Sequence, residues 1–218
     1  MVSYYNNAIT ESCRQGIAIL REYDFIQDFY LAGGTALALQ IGHRISTDLD
    51  WFSATNQLQD HQRELIQEVL KSHGKFETVS EQVGLLFSRL KDTDTSFIYQ
   101  HNPLLEPTVE YQGIELATPI DIGLMKLAAI ASRGTRRDFV DIYCMREFIS
   151  LENLFELAPK KYNDRPQFLA VAVRALVYFE DAEQQPMPRM LIPAAWKDIR
   201  IYCEEASRNL TRRLSGLS

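Results

Sequence analysis

The sequence is poor in the residues that build disulfide or zinc frameworks. Its 218 residues include three cysteines, Cys13, Cys144 and Cys203, odd in number, far apart and without metal-ligand spacing. They read as ordinary part-buried thiols. His43, His61, His73 and His101 form no spaced ligand set, and His61 and His73 read as solvated on a polar helix face. No apolar run approaches the ~20 residues of a membrane helix, so no membrane association is expected. The opening MVSYYNNAITES has neither the basic nor the apolar region of a secretory leader, which makes the cytoplasm the expected location. Positive charge is not in excess: the formal net charge is −6 and the pI about 5.3. That excludes a generally basic nucleic-acid binder and leaves a local patch, Arg133, Arg136 and Arg137. There is no P-loop spacing ending in Gly-Lys-Ser/Thr, no nucleophile elbow, no internal repeat and no low-complexity stretch.

What is present is a globular composition, 46% hydrophobic and 24% charged, at a length suited to one domain or a core with a helical extension. Ile9, Cys13, Ile17 and Leu20 recur at helical spacing and predict a helix over 8–23. A second helix is expected from an Asp60 cap through Lys71, ended by Gly74, with Leu65, Ile66, Val69 and Leu70 on its apolar side. Between 75 and 100 the period falls towards two and predicts three strands; 108–118 reads as a hairpin turning at Gln112-Gly113. At Thr118 the character changes. Thr118-Pro119-Ile120-Asp121 opens a helix with a cap, a first-turn proline and an acid, and the chain is helical from there. Thr135 with Asp138 resembles a capping box. Later helices are expected over 151–157, 166–179 and 194–208, and 215–218 reads as a frayed end. The expected organisation is an α/β core over 1–118 and a helical part over 119–218, packed as one unit.

The chemistry concentrates in residues 29–53. A short apolar strand leads into Gly33-Gly34, whose bare amides suit a phosphate, and Thr35 is placed to cap the helix that follows. Asp48 and Asp50, two apart on a strand, present both carboxylates to one face, a pairing that suits a hard cation such as magnesium. A D-x-D alone is common, and the bland alternative is a solvated strand end. The apolar neighbours Leu49, Trp51 and Phe52 count against that. Arg44 could pair with Asp48 or contact a phosphate. Lys126 sits in an otherwise apolar helix and either snorkels or binds an anion. Asp141, flanked by Phe139, Val140, Ile142 and Tyr143, calls for a specific partner, for which Lys126 is the candidate; Arg137, four residues before it, could instead pair within the helix.

Three ordered segments, GGTALALQIGHRISTDLDWFS, DIGLMKLAAIASRGTRRDFVDIY and DAEQQPMPRML, resemble the AbiEii/AbiGii-type nucleotidyltransferase toxin family of the polymerase-β-like superfamily, over about residues 10–205. The resemblance implies a nucleotidyltransferase-type mixed α/β (α+β) sheet with flanking helices and a helical C-terminal part. It also implies an enzyme that moves a nucleotide from an NTP with magnesium to an acceptor hydroxyl. Acceptors in such toxins include tRNA, and the usual partner is an antitoxin. Carried over, Gly33, Gly34 and Thr35 would hold the triphosphate, Asp48 and Asp50 the magnesium, and Lys126 a phosphate, with Asp141 holding Lys126 or acting close by. One departure stands out. The strand that supplies a third carboxylate in the superfamily reads DTDTSFIY here, with Ser96 at the expected place and Asp94 two residues back. An alternative is therefore a nucleotide- or partner-binding module on the same fold that has lost transfer.

Overall fold

The structure, a computed structural model, describes residues 3–215. Gly216, Leu217 and Ser218, most of the segment expected to fray, lie outside the described residues. Helix α1 (Glu11–Leu20) buries Cys13, Ile17 and Leu20, the expected stripe, and Thr10 caps it by accepting from the Cys13 amide. It is shorter than the periodicity predicts. The chain then enters β1 (Tyr30–Leu31), α2 (Gly33–Ile41), β2 (Leu49–Ser53) and α3 (Asp60–Ser72). The cap of α3 is Gln59, in a capping box with Gln62, and Leu65 is exposed while Ile66, Val69 and Leu70 are buried. Strands β3 (Phe76–Gln82), β4 (Leu85–Leu90) and β5 (Thr93–Tyr99) follow, then the hairpin β6 (Val109–Tyr111) and β7 (Ile114–Leu116). Gln112 and Gly113 both take positive φ at that turn, as a tight two-residue hairpin requires.

These strands form one mixed sheet in the order β3-β4-β5-β2-β1-β7-β6. β2 runs parallel to β5 and antiparallel to β1, so the aspartate-bearing strand is flanked on both sides by backbone partners. Trp51 and Phe97 are in register and stack in the core, both fully buried; each such side chain contributes about 1.5–3 kcal/mol through burial.

From Pro119 onwards every described element is a helix: α4 (Pro119–Ser132), α5 (Arg136–Met145), α6 (Leu151–Lys161), α7 (Phe168–Ala175), α8 (Glu180–Glu183) and α9 (Trp196–Leu214). Two expected details differ. Thr118 precedes α4, but its buried hydroxyl makes no cap bond. Asp121 is more than a first-turn charge: it accepts from the Leu105 and Glu106 amides and pairs with Lys161. The capping box of Thr135 and Asp138 is present at the start of α5. All three cysteines are buried and unpaired. His73 is not simply solvated, since its ring meets the Tyr23 hydroxyl at 2.7 Å.

Candidate active site

A cleft of about 340 Å³ opens between the sheet and the start of α5, within the size range of small-ligand sites. Asp48, Asp50, Ser96 and Gly34 line its sheet side; Lys126, Arg133, Thr135, Arg137 and Asp138 line its helical side. Gly33, Thr35 and Asp141 are not part of this lining.

The start of α2 is shaped by close approach. Gly33 has φ +63°, and a Cβ there would lie 2.5 Å from an Asp50 oxygen. A Cβ on Gly34 would lie 2.2 Å from the Arg44 guanidinium. The double glycine is thus where the helix passes over two functional side chains, with the Gly34 backbone on the cleft. Thr35 does not cap α2. It is the third helical residue, it is buried, and its hydroxyl donates to the Asp48 carbonyl, fixing helix to strand.

Arg44 does not pair with Asp48; it lines the cleft beside Gly34 while its guanidinium is engaged by another carboxylate. Its Nε and Nη2 grip Asp141 at 2.7 and 3.0 Å, both residues being buried. His43 Nε2 reaches the same carboxylate at 2.7 Å. Lys126 Nζ lies 2.7 Å from Asp141 and 2.9 Å from Asp138. Burial alone would raise the Asp141 pKa, but Arg44, Lys126 and His43 outweigh it and hold the carboxyl well below its usual range. Burial disfavours the charge on Lys126, yet Asp141 and Asp138 win and its pKa rises. Desolvation dominates at His43 and lowers its pKa, so the ring is neutral near pH 7. The third sequence segment completes this unit: Ile45 N donates to Arg189 O, and Leu191 N to His43 O, so residues 189–191 clamp the loop that carries Arg44.

The sheet side is different. Asp50 has one hydrogen-bond partner among the described side chains, the Ser96 hydroxyl at 2.6 Å, and Ser96 is its register partner on β5. Burial raises the Asp50 pKa, and Ser96 and Lys126 offset that only in part. Asp48 is half-buried and salt-bridged to Arg137 at 2.8 Å, not left to Lys126's cluster. Arg137 therefore does not pair within its own helix. Arg136 also leaves the expected patch: it donates to the Ala182 and Glu183 carbonyls and lies over Trp196. Asp94 lines the cleft but is exposed and paired with Arg89 at 2.6 Å.

A hard divalent cation fits this donor set. Two carboxylates converge on the cleft, and the charge on one is held against an unfavourable burial that a cation would relieve. Among the described residues no group of three or more His, Cys, Asp or Glu is gathered for a metal, which leaves the aspartate pair as the candidate donors. Sequence reading missed His43 as a partner of Asp141 and Asp138 as a partner of Lys126. The signal available for Asp138 was its position one helical turn before Asp141, on the face turned to Lys126.

The family model described as "Nucleotidyl transferase AbiEii toxin, Type IV TA system" matches residues 18–210. An uncharacterized protein of Aquifex aeolicus (strain VF5) is 34% identical over 191 residues, 86% of each chain. Among solved structures, a putative nucleotidyltransferase from H. pylori covers 96% of this chain and 99% of its own at 15% identity, TM-score 0.51. MenT4, a nucleotidyltransferase toxin from Mycobacterium tuberculosis H37Rv, covers 85% of this chain and 76% of its own at 17% identity, TM-score 0.52. At such identities the likeness of the two structures is one of fold. Among the described residues no helix is long and apolar enough to cross a membrane.

Proposed function

From the premise that this chain belongs to the AbiEii nucleotidyltransferase toxin family, we propose that its cleft transfers a nucleotide from an NTP to an acceptor hydroxyl of an RNA, with tRNA as the first candidate. The observation that carries the reading is the opposition of Asp48 and Asp50 to Lys126, Arg133 and Arg137 across one cleft. The acceptor oxygen bonds to the α-phosphorus, the bond from that phosphorus to the bridging oxygen of pyrophosphate breaks, and the hydroxyl proton passes to solvent. Asp48 and Asp50 would hold magnesium, which supplies charge neutralisation to the phosphates. Gly34 and the amides at the start of α2 offer an anion-binding helix end. Lys126, held in place by Asp138 and Asp141, meets the charge that develops on the leaving group. Arg137 exchanges Asp48 for phosphate, and Arg133 adds a second cation. His43 and Asp141 position the site from beneath; Arg44, gripped by Asp141, also lines the cleft. An antitoxin partner and a cytoplasmic setting complete the reading.

The test is to incubate the protein with magnesium, total RNA and each of the four NTPs, labelled in turn at the α- and γ-phosphate. Transfer of α-label alone supports it; no transfer with any nucleotide that the protein binds counts against it. One observation favours a second reading, a binding module: Ser96 stands where a third carboxylate would. Melting that NTP still stabilises after Asp48→Ala, with no transfer by the wild type, would support that alternative.

A further inference from the structure

The open face of the sheet continues past the aspartates to a surface that the transfer chemistry leaves unused. On β4 the alternation is strict: Leu86, Ser88 and Leu90 are buried, while Phe87 and Arg89 are exposed. Phe87 is in register with Ser96, and Ser96 with Asp50, so the three side chains form one cross-strand row on one face. Two strand spacings put Phe87 roughly 10 Å from Asp50. Phe87 is a large aromatic, 39% exposed, and it lines the charged cleft itself. The partner strand adds to it. The register of β3 on β4 slips between Thr78 and Ser80, and this bulge frees Val79, 58% exposed, to line the cleft beside Phe87.

We infer that Phe87, flanked by Val79, is the platform on which the terminal base of the acceptor strand stacks. This rests on the transfer reading above. Direction decides between the two bases in such a reaction. Attacking and leaving oxygens lie roughly in line across the reacting phosphorus. The leaving pyrophosphate belongs with the cations Lys126, Arg133 and Arg137 and the start of α2; the acceptor therefore comes from the opposite side of Asp50, over β5 and β4. An aromatic face suits any base, whereas the cations read only phosphate.

The test titrates the protein with a short single-stranded RNA ending in 2-aminopurine, whose fluorescence is quenched on stacking, and separately with 2-aminopurine riboside triphosphate. Wild type quenches the RNA probe. Phe87→Ala weakens RNA binding by about 5- to 150-fold, the range of one base–aromatic stack, and removes the quench. Phe87→Trp keeps both, and Val79→Ser has a smaller effect. Because Phe87 is exposed, matched melting curves are expected for all variants. Equal binding and quench in Phe87→Ala, no binding of the RNA by the wild type, or Phe87-dependent quenching of the triphosphate alone would each overturn the inference. Phe87-dependent RNA quenching without any label transfer would keep Phe87 as an RNA-stacking surface but overturn its assignment to an acceptor strand, together with the transfer reading.

Discussion

Two buried lysines invite comparison. Lys161 and Asp121 are both fully buried, 2.7 Å apart, and each has further partners: Lys161 also donates to Pro103 O, and Asp121 takes the Leu105 and Glu106 amides. Lys126 and Asp141 are also 2.7 Å apart, and Asp141 is as deeply buried. The difference is the aperture. Lys126 lines the cleft together with Asp138 and Arg44, with His43 behind them, whereas Lys161 closes the joint between α4 and α6. Burial and pairing alone do not distinguish a positioned phosphate ligand from a structural tie; a route to a ligand does.

The comparison can be broken most forcefully at the closed pair. Lys161→Met leaves Asp121 buried without its cation and should cost ~3–5 kcal/mol. At about 2–4 °C per kcal/mol for a chain of this size, the melting temperature falls by roughly 6–20 °C, while activity per folded molecule is retained. Lys126→Met should do the reverse. Asp141 keeps Arg44 and His43, so urea denaturation should register a loss of only about 1–3 kcal/mol. Label transfer should fall at least a hundredfold, on the order of the loss of one transition-state donor.

Acid should weaken the Lys126 cluster as well. Asp141 and Asp138 have lowered pKa values, so their stabilisation is complete above the unfolded carboxylate range and is lost as pH falls through their folded values. His43 is buried neutral with a lowered pKa, so the unfolded chain binds its proton first, and stability begins to fall below about pH 6.5. Melting temperature followed from pH 7 to pH 4 should decline, and His43→Gln should flatten the upper part of that decline. The smallest effect is expected at Arg137, half-exposed in its pair with Asp48. Arg137→Met should change stability by no more than ~1 kcal/mol and raise the KM for NTP several-fold.

The local signals were legible. Alternation marked β4 and β5, Gln112-Gly113 marked the hairpin, and Thr135 with Asp138 marked the start of α5. Lys126 and Asp141 met because an apolar helix cannot leave either charge alone. What the sequence could not supply was long-range geometry. Arg44 and Asp141 are 97 positions apart, and nothing near Arg44 distinguishes a buried clamp from a phosphate contact. Thr35 read as a cap because hydroxyls usually serve there; the helix begins two residues earlier, and the hydroxyl is used on β2. Lys161 lies in the last turn of α6, beyond the helix expected over 151–157, and only tertiary packing encloses it. Phe87 carried no signal until the register placed it in line with Asp50.

Asp50 offers the most direct test of the cleft. Burial raises the pKa of its carboxyl, a cost to the metal-free fold that fits a functional site. Asp50→Asn removes that cost and can keep the bond from Ser96. Measured together without metal for stability and with magnesium, NTP and RNA for transfer, the variant should melt at or above the wild-type temperature and transfer at least about a hundredfold more slowly. A variant that melts several degrees lower and transfers at the wild-type rate would make Asp50 a structural residue and contradict the assignment of this cleft.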